Sequence, residues 1–216
     1  LEEKEYANII FASAPSQNDF LAEVKKKDIA WDRIIAFHMD EYVGLDKDAS
    51  QGFGNYLKDR LFNSVSPYQV HYLNGNAGIP ESECTRYADL LKKYPTDIVC
   101  LGIGENTHLA FNDPHVADFK DSKVVKVVEL DEQCRLQQVN DGCFNTIDEV
   151  PRLALTITIP ALFRARYASA VVPGHRKADA IYHTLNSEIS EKYPSTLLRK
   201  HKDTVLYIDE QSAQKL

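Results

Sequence analysis

Short apolar runs separated by amphipathic stretches recur along the whole chain. Apolar runs of this length, bounded by glycine, proline or polar residues, are typical of buried strands. The pattern predicts strands at 7–12, 33–37, 70–73, 97–101, 123–130, 153–159, 167–172 and 204–208. The run at 123–130 alternates between apolar and polar positions, which predicts an exposed or edge strand.

Helical spacing of apolar positions appears between these strands. It is clearest after residue 17, at 53–62, at 81–94 and after residue 177. Alternating strands and helices predict a three-layer α/β/α sandwich with a mostly parallel, Rossmann-like sheet, in one domain spanning 1–216. Because a buried strand at 7–12 rarely opens such a domain, we expect that an N-terminal helix and strand precede this sequence.

The polar segment 131–149 has no strong period and contains Gly142. Such a segment predicts a mobile lid over a site. Arg135 is its only arginine. It could close over an anion, or it could be a solvated surface arginine.

Composition and charge narrow the classes of partner. With 44% hydrophobic and 26% charged residues, the 216-residue chain has the composition of a globular protein. The net charge of −7 argues against nonspecific binding to nucleic acid or to an anionic membrane surface. No apolar run reaches the length of about 18 residues that a membrane helix needs, and the opening LEEKEY is unlike a signal peptide. We therefore expect a cytoplasmic protein.

Four cysteines lie at positions 84, 100, 134 and 143. They show neither CxxC spacing nor the density of a disulfide-rich scaffold. We expect reduced thiols, with no disulfide and no zinc.

The segment 101–114, LGIGENTHLAFNDP, concentrates titratable and amide side chains directly after an apolar run. Gly102 and Gly104 allow a ligand to approach the backbone closely. Glu105, Asn106, His108 and Asp113 follow within one short stretch. Because histidine changes charge near neutral pH and a nearby carboxylate can orient it, this pattern indicates an acid/base site. The alternative is a polar loop with a surface histidine.

Asp40 and Glu41 follow the apolar run 33–37. Carboxylates at the carboxyl end of a buried parallel strand lie where open α/β sheets bind ligands. One of them, partly desolvated, could act as a general base. A solvated loop start is the alternative.

Two further segments suggest an anion site. In the loop 13–17, SAPSQ, small residues lead from a strand into a helix N-terminus, where free N–H groups and the helix dipole attract anions. Ser13 and Ser16 would add hydroxyl donors, although Ser16 is also a residue type that caps helices. In 175–177, three basic candidates including Lys177 open a helix. Cations there oppose the dipole, which favours a bound anion.

All these segments follow predicted parallel strands, so they meet at the carboxyl edge of the sheet. By themselves the residues predict an anion site beside an acid/base pair. That combination fits a phosphorylated small metabolite without naming it.

Three motifs also carry a family resemblance: FHMDEYVGL at 37–45, LGIGENTHLAFNDP at 101–114 and VPGHRKADAI at 172–181. In their order and spacing, and together with PSTLLRKH at 194–201, they resemble the glucosamine-6-phosphate deaminase/isomerase family. The wider superfamily includes the 6-phosphogluconolactonases. The resemblance implies that a hexosamine 6-phosphate and water are converted into a ketose 6-phosphate and ammonia, without metal or organic cofactor.

The resemblance also implies roles for individual residues. Asp40 would move a proton between C2 and C1 of the opened sugar, and His108 would assist ring opening with support from Asp113. The phosphate would lie on Ser13, Ala14, Ser16 and Gln17 with Lys177, and Arg135 would approach from the lid. Asn106 belongs to the implied catalytic set, and Glu41, Gly104 and Glu105 to the substrate pocket.

The sequence departs from the usual family pattern in two segments. Asn106 and Thr107 stand where aspartate and glycine are usual, and Asp113 stands where glutamate is usual. In the phosphate loop, Ala14 stands where glycine is usual. Because an amide holds no negative charge, we expect Asn106 to weaken the carboxylate support of His108.

Two other functions stay open at this stage. One is a catalytically weak sugar-phosphate-binding protein, and the other is a hydrolase resembling 6-phosphogluconolactonase. The expected partner in each case is a small sugar phosphate. Whether the chain forms a homo-oligomer stays open as well.

Overall fold

The computed structural model describes residues 4–216. The expectation that the opening LEEKEY is not a signal peptide therefore concerns residues that lie partly outside this range. Its strands, in chain order, are β1 (Ala7–Phe11), β2 (Ile34–His38), β3 (Asp40–Tyr42), β4 (Gln69–His71), β5 (Ile98–Leu101), β6 (Val125–Glu129), β7 (Leu153–Ile157), β8 (Tyr167–Val172) and β9 (Thr204–Ile208). Six of them form one parallel sheet in the order β4-β2-β1-β5-β8-β9. The predicted mostly parallel α/β fold is confirmed.

Helices connect most of these strands. They are α1 (Asn18–Val24), α2 (Phe53–Leu57), α3 (Pro80–Lys93), α4 (Glu132–Asn140), α5 (Ile159–Leu162) and α6 (Ala178–Asn186). A π-helical turn, Lys58–Phe62, continues α2. Short 3₁₀ turns lie at Pro15–Gln17, Trp31–Arg33, Ile147–Glu149, His175–Lys177 and Pro194–Lys200. None of the helices in residues 4–216 combines the length and apolar character that a membrane crossing requires.

Side chains alternate between the two faces of the parallel sheet and create a core on each. Ile10 of β1 joins the larger core, where Tyr87 of α3 and Ile181 of α6 are fully buried. The adjacent Phe11 lies in another core with Leu21 of α1. Because successive strand residues point to opposite faces, the apolar runs of β1 and β2 supply side chains to the cores on both faces of the sheet.

The sequence pattern did not predict a second sheet. In it β3, β7 and β6 pair antiparallel in the order β3-β7-β6. The predicted strands at 123–130 and 153–159 therefore lie outside the parallel sheet, and 123–130 is an edge strand as expected. β3 was not predicted as a strand, because three residues reading DEY carry no apolar alternation, and the alternative of a solvated loop start is wrong because Asp40 and Glu41 are buried.

No helix was predicted in the segment 131–149, the candidate lid, but the first half of this segment is helical. Helix α4 begins after Asp131, whose carboxylate accepts a hydrogen bond from the Cys134 backbone N–H at 2.6 Å. Cys134, Gln137 and Gln138 of this helix are buried. The polar composition concealed a helix that packs its polar side chains inward. All four cysteines of the chain are free thiols, as expected.

Candidate active site

A cavity opens at the carboxyl ends of β1, β2 and β5. Its walls include most of the chemistry predicted from the sequence, together with apolar residues and two glutamines. The lining residues are Ala12, Ser13, Ala14, Ser16, Met39, Asp40, Phe53, Gly102, Ile103, Gly104, His108, Ala110, Phe111, Gln137, Gln138 and Lys177. The parallel sheet thus brings the segments after β1, β2, β5 and β8 to one place, as expected from its topology.

Asp40 lies at the point where the chain passes from one sheet to the other. β2 ends at His38, and Asp40 then pairs with Thr156 of β7. Its side chain lines the cavity and is 7% exposed. Burial, helped by the negative charge of Glu41, raises the pKa of Asp40 well above its ordinary value. A carboxylate with a raised pKa is a suitable group for accepting and returning a proton near neutral pH.

His108 is held by two side chains on the same nitrogen. Its Nδ1 lies 2.9 Å from Asp113 Oδ1 and 2.7 Å from Asn106 Oδ1. Asn106 Nδ2 in turn donates to Asp113 Oδ1 at 2.9 Å. Because the Asp113 carboxylate accepts from Nδ1–H, Nε2 is the ring nitrogen left for a ligand in the cavity.

Asp113 is completely buried and supplies the negative charge of this network. Burial alone would raise the pKa of Asp113, but the charge of His108 and hydrogen bonds from His108, Asn106 and Cys134 outweigh it and lower that pKa. We expected Asn106 to weaken the carboxylate support of His108. Instead the amide leaves Asp113 in direct contact with the imidazole and orients both groups.

The backbone of the 101–114 loop is shaped to place the imidazole. A Cβ on Gly104 would lie 2.2 Å from His108 Cε1, so only glycine leaves room for the ring. Thr107 has φ +72° and Ala110 has φ +50°, both in the left-handed region. Because β-branched residues are strained there, Thr107 replaces the usual glycine at a conformational cost.

Lys177 marks the anion-binding end of the cavity. Its side chain is 7% exposed, and its ammonium forms no ion pair or hydrogen bond within residues 4–216. Burial lowers the pKa of Lys177, although the charges of Asp141 and Glu105 counteract this. A buried ammonium that lines a cavity and forms neither a hydrogen bond nor an ion pair favours an anionic ligand at this end of the site.

The loop before α1 forms the wall near Lys177. Ser13 is buried with an unpartnered Oγ, and Ala14 and Ser16 line the cavity. The alternative that Ser16 is a helix cap is wrong, since α1 begins at Asn18 without a side-chain cap. Ser16 Oγ instead accepts from Gln17 Nε2 at 3.3 Å.

Gln17 and Glu41 were predicted to face the ligand, and neither lines the cavity. Gln17 Nε2 donates to Val171 O at 2.9 Å, which ties the loop to β8. The Glu41 carboxylate accepts from the backbone N–H groups of Phe53 and Gly54, so it stabilises the start of α2. Burial raises the pKa of Glu41, with these bonds and the one from the Tyr42 N–H opposing it.

Arg135 and Glu105 also lie away from the cavity walls. The Arg135 guanidinium donates to Val150 O at 3.0 Å and to Ile147 O, so it holds the turn after α4 and is not among the residues that line the cavity. The Glu105 backbone N–H donates to Gln137 Oε1 at 2.9 Å. Its own Oε1 is enclosed without a partner. This placement differs from the expectation that Arg135 lies against the phosphate.

Two residues that were not predicted from the sequence, Gln137 and Gln138, face the cavity from α4. Adjacent glutamines carry no motif, and the polar segment around them has no apolar period. Only the docking of α4 against the 101–114 loop identifies them.

His108, Asp113 and Cys134 could in principle hold a metal ion. One ligand atom from each lies within 4.8 Å of the others, and all three residues are buried. A nitrogen, oxygen and sulfur set of this kind would suit zinc. Binding would require His108 and Asp113 to give up their mutual hydrogen bond, so the present geometry fits the acid/base network better.

Comparisons with known proteins agree with this geometry. A model of the family described as glucosamine-6-phosphate isomerases/6-phosphogluconolactonase matches residues 2–207. A glucosamine-6-phosphate deaminase of an Exiguobacterium strain is 36% identical over 84% of this chain and 70% of its own length. One from Lysinibacillus sphaericus is 33% identical over 92% of this chain and 87% of its own length.

Solved structures with a similar fold include a protein of the same name as these relatives. A glucosamine-6-phosphate deaminase described as monomeric superposes with a TM-score of 0.93 and 31% identity, over 100% of this chain and 90% of that chain. A 6-phosphogluconolactonase from Thermotoga maritima has a TM-score of 0.76 at 21% identity, over 96% of this chain and 87% of that chain, and shares the fold. The resemblance carried by the three motifs is confirmed, and the chain belongs to the glucosamine-6-phosphate isomerase/6-phosphogluconolactonase family.

Proposed function

We propose that this protein is a hexosamine-6-phosphate deaminase of the glucosamine-6-phosphate type. The substrate, with water, becomes a ketose 6-phosphate and ammonia. The single observation that carries the proposal is the pairing in one cavity of a buried, unpartnered cation, Lys177, with a buried carboxylic acid, Asp40. The names of the relatives support the same reaction.

One end of the cavity would bind the phosphate, and the other would carry out the proton transfers. Lys177, with the hydroxyls of Ser13 and Ser16, would bind the phosphate by charge and hydrogen bonding. This orients the sugar so that C1 and C2 reach Asp40 and His108. Fixing both ends of a small substrate provides the proximity on which the proton transfers depend.

His108 would act first, on the closed sugar. Its Nε2 accepts the proton of the C1 hydroxyl as the ring C1–O5 bond breaks, and Asp113 stabilises the imidazolium formed at Nδ1–H. The imidazolium then gives this proton from Nε2 to the ring oxygen O5, which becomes a free hydroxyl, and His108 is neutral again. The product of this step is the open-chain aldehyde.

Asp40 would then carry out the isomerisation. Its carboxylate removes the proton from C2 and returns a proton to C1, through an enol with the amino group still on C2. The resulting C2 imine adds water, and ammonia leaves to give the ketose. Because the pKa of Asp40 is raised by burial, the same group can serve as base and then as acid.

The test is release of ammonia and ketose 6-phosphate from glucosamine 6-phosphate, with galactosamine 6-phosphate measured in parallel. We expect turnover of at least one epimer. Asp40→Asn should lower kcat by 10³-fold or more, on the order expected for loss of an essential proton-transfer group. Asp59→Asn, at an exposed position of the π-helical turn, is the matched control and should keep wild-type activity.

Three results would contradict the proposal in different ways. Undiminished turnover in Asp40→Asn would remove the role given to that residue. Consumption of a sugar lactone phosphate without ammonia would point to the lactonase branch. Binding of both hexosamine phosphates without turnover would make the protein a sugar-phosphate binder.

A further inference from the structure

The side chain of Gln138 is arranged differently from that of its neighbour. Gln137 uses both ends of its amide, since Oε1 accepts from the Glu105 N–H at 2.9 Å and Nε2 donates to Asp141 Oδ2 at 3.4 Å. Gln138 uses only Oε1, which accepts from the Tyr42 hydroxyl at 3.0 Å. Its Nε2 donates to no group within residues 4–216, although the residue is only 7% exposed.

Tyr42 determines which way this amide faces. The tyrosine is 1% exposed and its ring packs against Phe53, Phe111 and Phe144. Burial raises the pKa of Tyr42 well above its ordinary value, so the phenol keeps its proton and acts as a donor. With Oε1 held by that donor, the NH₂ end of Gln138 is the end left for the cavity that the residue lines.

A donor on the cavity wall would fill a gap in the proposed recognition of the sugar. Lys177 would take the phosphate at one end of the sugar, and Asp40 and His108 would take C1 and C2 at the other. The hydroxyls on the carbons between them still need partners once the cavity has excluded water. Besides Gln137 and Gln138, the remaining walls there are largely apolar, with Met39, Phe53 and Phe111 among the lining residues.

We propose that Gln138 is a specificity-determining residue: Nε2 donates to a hydroxyl on the carbon chain between the reacting C1–C2 pair and the phosphate, and Tyr42 is its positioning residue. The inference rests on the proposed function, because it takes a hexosamine 6-phosphate as the ligand. A directed donor distinguishes sugars that differ in the orientation of one hydroxyl, since the wrong epimer leaves a buried donor unpaired.

The test compares kcat/KM for glucosamine 6-phosphate and galactosamine 6-phosphate in three variants. Gln138→Met removes the donor and keeps the length of the side chain. We expect it to lower kcat/KM for the preferred epimer by about 10-fold, chiefly through KM, and to bring the ratio of the two epimers toward one. Gln133→Met, at an exposed position of α4, is the matched control and should leave both values unchanged.

Tyr42→Phe keeps the aromatic ring and removes only the hydroxyl. We expect a smaller loss in the same sense, again in KM and in the epimer ratio, because the Gln138 amide is no longer held in one orientation. A structural role alone would change the melting temperature without changing that ratio. If Gln138→Met does not fold, Tyr42→Phe provides the test.

The inference is overturned if Gln138→Met, or Tyr42→Phe where the first variant does not fold, keeps KM and the epimer ratio within twofold of wild type. Its outcome is separate from that of the proposed function, which wild-type turnover tests without any variant. If the wild type turns over one epimer only, the inhibition constant of the other supplies the ratio. If it turns over neither, the dissociation constants of both sugars replace KM, and the same twofold criterion applies.

Discussion

At the scale of single residues, the His108 imidazole depends on what surrounds it on two sides. Asp113 and Asn106 hold its Nδ1, and Gly104 leaves the space in which the ring lies. The ring is therefore placed by contacts within one loop of the chain. Small changes in this loop should affect catalysis far more than stability.

Gly104→Ala tests the role of that space. The added Cβ would fall 2.2 Å from the ring, so His108 must move away from its position. We expect kcat/KM to fall by about 100-fold or more with little change in circular dichroism, because catalysis is sensitive to displacements of about 1 Å. Gly78→Ala is the control, since nothing lies within 4 Å of its added Cβ. Equal activity of both variants would exclude a tight fit at Gly104.

Glu41→Gln tests how the neighbouring charge tunes Asp40. After burial, the charge of Glu41 is the second cause that raises the pKa of Asp40. Removing it lowers that pKa, so the base form of Asp40 persists to lower pH. We expect the acid limb of the kcat/KM profile to shift to lower pH. The exposed Glu81→Gln should leave the profile in place, and an unshifted limb in Glu41→Gln would contradict the assignment.

At the scale of elements, the site depends on the connection between β2 and β3, because this connection sets the position of Asp40. His38 ends the parallel strand, and after a single intervening residue, Met39, Asp40 begins an antiparallel one. His38 Nε2 accepts a hydrogen bond from the Leu73 backbone N–H at 2.9 Å, which connects the end of β2 to the segment after β4. The imidazole is therefore structural and must stay neutral to accept that bond.

The neutral state of His38 predicts acid sensitivity of the fold. Burial lowers the pKa of His38 to about 4, whereas the unfolded chain binds its proton near the ordinary value. The unfolded state thus binds more protons between these values, and the free energy of unfolding falls as pH drops through this window. The loss from His38 is about 2 kcal/mol between pH 7 and pH 4.5.

Urea unfolding at these two pH values would measure this contribution. Asp40 and Glu41 change with pH in the opposite sense, because their raised pKa values favour folding at low pH. The informative quantity is therefore the difference between wild type and His38→Gln, which accepts a hydrogen bond without titrating. The exposed His175→Gln is the control. An identical pH dependence in wild type and His38→Gln would refute the prediction.

At the scale of the whole molecule, the parallel sheet places the buried charge of Lys177 in the cavity. The fold does not need this charge for its own stability. Lys177 follows β8, and most of the other lining residues follow β1, β2 and β5. An unpartnered buried ammonium destabilises the empty protein. Binding of an anion removes that cost.

Lys177→Met should therefore have opposite effects on stability and binding. Without ligand, we expect the free energy of unfolding to rise by about 1 kcal/mol, because the charges of Asp141 and Glu105 offset the cost of burying the ammonium only in part. The thermal shift produced by glucosamine 6-phosphate should at the same time be lost. Lys202→Met, at an exposed position, should change neither quantity. A destabilised variant that still binds the sugar phosphate would contradict the role of Lys177.

The local pattern of the sequence was sufficient for the parallel strands, most helices and the segments that form the site. Apolar runs and helical spacing depend on near neighbours, and the carboxyl edge of a parallel sheet gathers the loops that follow its strands. That is why Ser13, Asp40, His108 and Lys177 could be placed together in advance. The family motifs then indicated the reaction.

Tertiary structure alone decided the rest, because those features depend on contacts between distant segments. Residues 40–42 became a strand only by pairing with β7, and α4 became visible only through its packing. That packing turned Arg135 toward backbone carbonyls and Gln138 toward the cavity. Asn106, a departure from the motif, became a link between His108 and Asp113 once the loop had folded. Residue type determined which chemistry was possible, and three-dimensional packing determined which side chains face the ligand.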